Sequence, residues 1–148
     1  VMMHIRGTPR NMQKNPVYSD VVGEIREFLR GSIGMAREAG ISPGNIIIDP
    51  GIGFGKTVAH NLEIIMRLGE FREFGAPVLV GVSRKSFIGR ILDSPERKRM
   101  MGTAAAVAAC VLNGADIVRV HDVEEMVQVA AVADALKGKR TQGGKVTV

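Results

Sequence analysis

Polar residues with chemical potential fall at four places in this 148-residue sequence, each directly after a run of apolar, largely β-branched residues. His4 and Arg6 follow the first run and Asp49 closes the second. Ser83, Arg84, Lys85 and Ser86 follow the third, and Arg119, His121 and Asp122 the fourth. A carboxylate, an ammonium, a guanidinium and an imidazole are groups that bind by charge and directed hydrogen bonds, and the cationic ones suit an anionic small molecule. Each alone has a plain explanation: a terminal Asp caps the next helix, and a loop Lys or Arg is simply solvated. Four consecutive runs ending this way point to one shared rim.

The segment Asp49-Pro-Gly-Ile-Gly-Phe-Gly-Lys-Thr57 invites a nucleotide-binding reading, and its spacing argues against it. A P-loop has Gly, four residues, then Gly-Lys-Ser/Thr. The residue five before Gly55 is Pro50, which also lacks the N–H that such a loop turns toward phosphate. Gly51, Gly53 and Gly55 are spaced G-x-G-x-G, not the G-x-G-x-x-G of dinucleotide folds. The three glycines are expected to let the backbone lie against a flat ligand, leaving Phe54 free to stack.

Other chemistries find little support. His4, His60 and His121 are far apart and fall in no spaced ligand motif, so no protein-held metal site is expected. Cys110, inside an Ala-rich stretch, reads as a small core residue, and most of the eight methionines are expected in the core. No Ser-His-Asp arrangement on a strained nucleophile turn is recognisable.

Hydrophobic residues make up 45% and charged residues 24%, the composition of an ordinary globular domain. A single cysteine excludes an intrachain disulfide and fits a reducing cytoplasm. The formal charge is +5. With six aromatics and no Trp, stacking platforms for single-stranded nucleic acid are scarce. The longest apolar stretches, around Thr103–Leu112 and Val127–Leu136, fall short of the ~18 residues a membrane span needs. No basic-then-apolar signal region opens the sequence. It begins with Val and is expected to be a piece of a longer reading frame.

The elements that must position the polar residues are four strands, Val1–Ile5, Asn45–Asp49, Pro77–Val82 and Asp116–Val120. Their continuous apolar character suits a parallel sheet covered on both faces. Helical patterns alternate with them: Tyr18–Ala39, Asn61–Phe74, Pro95–Leu112 and Val123–Leu136. Ser19 or Asp20 is placed to cap the first helix and Gly40 to end it in the left-handed conformation. Residues 1–137 are read as one partial domain, and 138–148 as a basic, Gly-rich, flexible tail. Four strand–helix units imply a parallel α/β sheet with right-handed crossovers. It is either a doubly wound open sheet or half of a (β/α)8 barrel, whose eight units take ~250 residues.

Four stretches resemble dihydropteroate synthases in order and spacing: Met3-His4-Ile5-Arg6-Gly7-Thr8-Pro9, Asp49-Pro-Gly-Ile-Gly-Phe-Gly-Lys56, Gly81-Val-Ser-Arg-Lys-Ser-Phe-Ile-Gly89 and Arg119-Val-His-Asp-Val123. The resemblance covers residues 1–137 and implies the C-terminal half of a pterin-binding (β/α)8 TIM barrel. It implies condensation of 4-aminobenzoate with (7,8-dihydropterin-6-yl)methyl diphosphate in folate biosynthesis, with Mg2+ carried by the diphosphate. It further implies a cytoplasmic homodimer for the full-length form, sensitivity to sulfonamides, and neither nucleic acid nor membrane as partner. On this reading Asp49 accepts the N–H donors of the pterin edge, while Lys85 donates to its acceptors. Arg119 stacks on the ring and reaches phosphate, and His121 is a second donor to the diphosphate. Phe54, Gly81 and the Ser83, Arg84, Lys85 and Ser86 loop shape the second substrate's pocket, and Met3 lines the pterin pocket.

The family's Mg2+-holding Asn, and an Asp and an Asn of its pterin pocket, belong to N-terminal strands that have no counterpart in these residues. The isolated chain is therefore expected to be inactive, and its unpartnered sheet edges to make it marginal or self-associating. Two other readings remain. One is a pterin-dependent methyltransferase acting on methyltetrahydrofolate, against which the Ser83-Arg84-Lys85-Ser86 run speaks; the other is a non-catalytic half-barrel that binds phosphate.

Overall fold

The computed structural model describes residues 1–12 and 14–142. Strands and helices alternate as expected: β1 (Met2–Met3), α1 (Val21–Glu38), β2 (Ile48–Asp49), α2 (Val58–Met66), β3 (Leu79–Val80), α3 (Ser86–Leu92), α4 (Met100–Asn113), β4 (Ile117–Val118) and α5 (Val123–Gln142). β1 pairs in parallel with β2, and β3 with β4. A parallel bridge from Ile48 to Val78 joins the two pairs, so all four strands run side by side in chain order. The doubly wound alternative would break this order at a switch point.

All four strands lie inside the runs read from sequence, but each is only two residues long. For β3 the local bonding shows why the ladder starts late. Pro77 has no N–H and contributes only its carbonyl, which accepts from Ile48 N at 3.0 Å. The Val78 N–H is captured by the Asp116 side chain at 2.9 Å instead of by a strand. Packing carries the rest: Ile46, Ile48, Val78, Val80 and Val82 are buried, and helices supply Val22, Ile25 and Leu29 from α1 and Val107 and Cys110 from α4. Burial pushes the Cys110 thiol up to about 12, in keeping with an inert core residue. The methionines differ from expectation: of those in the described core only Met126 is fully buried, whereas Met35, Met66 and Met101 are exposed. Met35 sits off the three-to-four stripe with which α1 meets the sheet.

The helices depart from the sequence reading mainly at their ends. Asp20 occupies the N-cap of α1, and Gly40 follows the helix with φ +81°. α2 starts earlier than read because Thr57 and His60 form a capping box: each backbone N–H donates to the other's side chain at 3.2 Å. Its last part tightens into a 3-10 helix over Leu68–Phe74. The expected helix over Pro95–Leu112 begins only at Met100, after a 3-10 turn, Glu96–Lys98. α3, which follows the third polar cluster, was not expected. α5 continues as helix through Gln142, past the predicted boundary at Gly138; residues 143–148 of the predicted tail lie outside the described residues.

Among the described residues β1 has a strand neighbour on one side only, and so does β4. Beside β4, an open apolar depression of 310 Å³ is lined by Val118, Val120, Val123, Met126 and Val127. This is the uncovered surface expected of an incomplete sheet.

Candidate active site

Parallel pairing sets the strand ends level, and that places the polar clusters on one side of the sheet. Asp49, the last residue of β2, stands opposite Met3 of β1. Its carboxyl group is buried, 3% exposed, with Oδ1 accepting the Gly51 N–H at 2.7 Å. Burial pushes its pKa up; the Gly51 N–H and the Lys85, Arg119 and Lys56 cations pull it back down. One buried acid thus feels three cations from three segments.

Residues 51–56 wrap the end of β1. Gly51, Gly53 and Gly55 all have positive φ, +69°, +83° and +66°. A Cβ on Gly51 would lie 1.8 Å from the His4 carbonyl oxygen, one on Gly55 2.5 Å from that of Arg6, and one on Gly53 2.9 Å from the Lys85 stem. The glycines therefore let the loop press on its own chain, where the sequence reading had them against a ligand. Phe54 is not a bare stacking surface either, because the Lys85 ammonium sits 4.4 Å from its ring centroid. Asn61, buried in α2, accepts the Gly53 N–H at 2.7 Å, and the Tyr18 hydroxyl donates to the Gly55 carbonyl at 2.8 Å. Both residues brace the loop.

Lys85 follows β3. Its ammonium donates to the Ile52 carbonyl, and burial pulls its pKa down to about 8 against the opposing pull of Asp49. The Arg119 guanidinium, after β4, lies over Gly81, where a Cβ would approach it to 3.5 Å. Ser83 is buried and joins the β3 and β4 ends: its Oγ accepts the His121 N–H at 3.2 Å and lies 2.9 Å from His121 Nδ1. Met3, Asp49, Phe54, Gly81, Ser83, Lys85, Arg119 and His121 are thereby drawn together.

Arg84 and Ser86 flank Lys85 without joining these contacts. Arg84 is committed to an ion pair with Asp122, its Nε 3.1 Å from Oδ2. Its left-handed backbone, φ +55°, is held by Thr103 Oγ1, which accepts its N–H, and by Arg99, which donates to its carbonyl. Ser86 is exposed at the start of α3. Lys56 was overlooked. It ends the glycine segment, where the sequence reading assigns it no role, yet it is buried against His4 and Phe54. Its signal was a lysine closing a segment that could not bind nucleotide.

Chemically, the rim offers one buried acceptor for paired N–H donors, flanked by an ammonium, with a guanidinium and an imidazole beyond. Among the described residues no group of three His, Cys, Asp or Glu side chains could hold a metal ion.

The sequence profile of pterin binding enzymes matches residues 1–121. The chain belongs to the pterin-binding enzyme family. Among curated relatives of this chain, the dihydropteroate synthase of Synechocystis sp. is 51% identical over 137 residues, spanning 92% of this chain and 47% of its own. That of Escherichia coli K12 is 41% identical over 134 residues, 90% of this chain and 48% of its own. The chain spans about half the length of the curated relatives it matches. Of solved structures, the Yersinia pestis dihydropteroate synthase in a sulfonamide drug complex superposes with a TM-score of 0.90 at 40% identity, covering 92% of this chain and 50% of that one. The Coxiella burnetii enzyme in complex with pteroic acid gives 0.77 at 39% identity, over 78% of this chain and 43% of that one. The α/β fold accordingly matches part of the dihydropteroate synthase fold.

Proposed function

We propose that this chain is the C-terminal half of a dihydropteroate synthase barrel, a cytoplasmic transferase that is homodimeric at full length. The observation that carries the reading is the buried Asp49 carboxylate with Lys85 and Arg119 both close enough to perturb it. A pterin edge presents parallel N–H donors that a carboxylate accepts in pairs, and Lys85 donates to the ring's acceptors. In the reaction the bond between the pterin CH2 carbon and the diphosphate oxygen breaks. A bond to the amine nitrogen of 4-aminobenzoate forms, and that nitrogen loses a proton. The CH2 sits on an electron-rich ring, so bond breaking can run ahead of attack, and the protein acts chiefly by binding and orientation. Arg119 and His121 take up the charge that grows on the departing diphosphate. Met3 lines the pterin pocket, while Phe54, Gly81, Ser83, Arg84 and Ser86 shape that of 4-aminobenzoate, which sulfonamides would enter.

Mg2+ would arrive on the diphosphate. Among the described residues no group of three His, Cys, Asp or Glu side chains could hold it. With the remaining ligand shell belonging to the other half, the 148-residue chain is inactive alone; diphosphate release by the purified chain would contradict this.

Titration calorimetry with the pterin diphosphate tests the reading. Asp49→Asn should weaken binding by about 1.5–3 kcal/mol as a charged hydrogen bond is lost. Unchanged affinity would favour a half-barrel that holds phosphate alone, and preference for methyltetrahydrofolate would favour a pterin-dependent methyltransferase.

A further inference from the structure

Lys56 takes no part in the chemistry above, yet it is among the most buried charged groups of the molecule, 4% exposed. Its ammonium has two partners on separate segments: Nδ1 of His4, just beyond β1, and the carbonyl of Phe54, each at 3.0 Å. It also lies beneath the turn that holds Asp49, because a Cβ on Gly51 would stand 3.5 Å from Nζ. Strand end, aromatic residue and carboxylate turn thus meet at one nitrogen.

Burying an ammonium is costly, and an apolar side chain of the same length would fill the space without that cost. The two acceptors it faces need a donor. His4 Nδ1 can accept only when the ring is neutral with its hydrogen on Nε2, so the contact selects one tautomer. The ring is packed for it, edge-on to Phe28 with centroids 5.1 Å apart.

We propose that Lys56 is a positioning residue of the rim: by donating to His4 Nδ1 and the Phe54 carbonyl it ties the glycine loop to the end of β1 and sets a cation under Asp49 that favours the ionised carboxylate. This rests on the reading that Asp49 is the ligand acceptor, and deepens it. The charged or titratable groups around the trio are few. Asp49 faces Lys85, Arg119 and Lys56; Lys56 faces Asp49 and Lys85; His4 faces Lys56, Arg6 and Glu24, and its ring centroid lies 6.1 Å from that of Tyr18. Burial, then the Lys56 and Arg6 charges, lower His4 to about 4, and burial lowers Lys56 to about 7.

Nuclear magnetic resonance on the isotope-labelled 148-residue chain, without ligand, tests this. Ring-nitrogen shifts of wild-type His4 should report the Nε2–H tautomer at pH 6–7; a proton on Nδ1 overturns the proposal whether or not any variant folds. In Lys56→Met the titration midpoints of Asp49 and His4 should both move up and the Gly51 and Phe54 amides should shift, with those of α5 unmoved. Lys56→Arg, which keeps the charge, should return the Asp49 midpoint toward wild type. A lysine that only fills space predicts an unmoved Asp49 midpoint in Lys56→Met, and that result overturns the proposal. Adding the pterin diphosphate to the wild type is a separate arm: silence at Asp49 refutes the function proposed above while the ligand-free titrations still decide the role of Lys56.

Discussion

On the β1–β2 side of the rim His4, Asp49 and Lys56 are buried and bonded, His4 to Lys56, Lys56 to the Phe54 carbonyl and Asp49 to the Gly51 amide, while Arg6 is exposed and paired with Glu24. On the β3–β4 side Arg119, His121 and Ser86 are exposed, buried Ser83 anchors His121, and half-buried Lys85 reaches across to the Ile52 carbonyl. A buried acceptor presents one fixed geometry and shifts its own ionisation, which favours recognising a particular flat edge. Exposed cations keep most of their hydration, hold an anion less stringently and release it readily. In the proposed reaction the ring stays with the product and the diphosphate departs. The firm side of the rim is the one that would hold what stays.

The sharpest way to break this contrast is a methyl group on each side. Gly51→Ala forces a side chain onto φ +69° and into the His4 carbonyl, and should cost about 2–4 kcal/mol by denaturant unfolding. Gly81→Ala meets Arg119 at an ordinary 3.5 Å and should stay within about 0.5 kcal/mol. Equal losses would mean that the two sides are equally tight. Ser83→Ala removes the acceptor of the His121 N–H and should cost about 1 kcal/mol, seen in the same unfolding curves, while the His121 ring resonances broaden as its anchor goes.

Acid should separate the two sides further. His4 resists protonation in the fold, with its pKa lowered to about 4 from 6.5. A lowered value means that the unfolded chain binds the proton more tightly, so this contribution is intact above pH 6.5 and is lost as pH falls toward 4. Midpoints of thermal unfolding should drop across that window more in the wild type than in His4→Phe. The smallest effect is that of salt: raising ionic strength should weaken inorganic diphosphate binding at Arg119 and His121 and leave the Asp49 midpoint nearly unmoved. A diphosphate affinity indifferent to salt would place the anion elsewhere.

Strand positions and the polar residues after them were legible because continuous β-branched runs and abrupt polarity at their ends are local signals. Strand length was not, because it depends on which N–H groups reach a neighbouring strand: Pro77 has none to give, and that of Val78 goes to the Asp116 side chain. The roles of the three glycines were misread for a related reason. Positive φ is foreseeable from residue type, but what a Cβ would strike lies far off in sequence: the His4 and Arg6 carbonyls for Gly51 and Gly55, and the Lys85 stem for Gly53. Lys56, Asn61 and Tyr18 were missed because a buried bracing contact leaves no periodic trace. The Arg84–Asp122 pair joins two clusters that were read separately.

The seam between the two strand pairs is one bridge, Ile48 to Val78, in which the Ile48 N–H donates to the Pro77 carbonyl. Asp49 lies on one side of that seam, and Lys85 and Arg119 on the other. Their span is therefore fixed across that one hydrogen-bonded step, with the buried aliphatics Ile48, Val78 and Val80 packed around it.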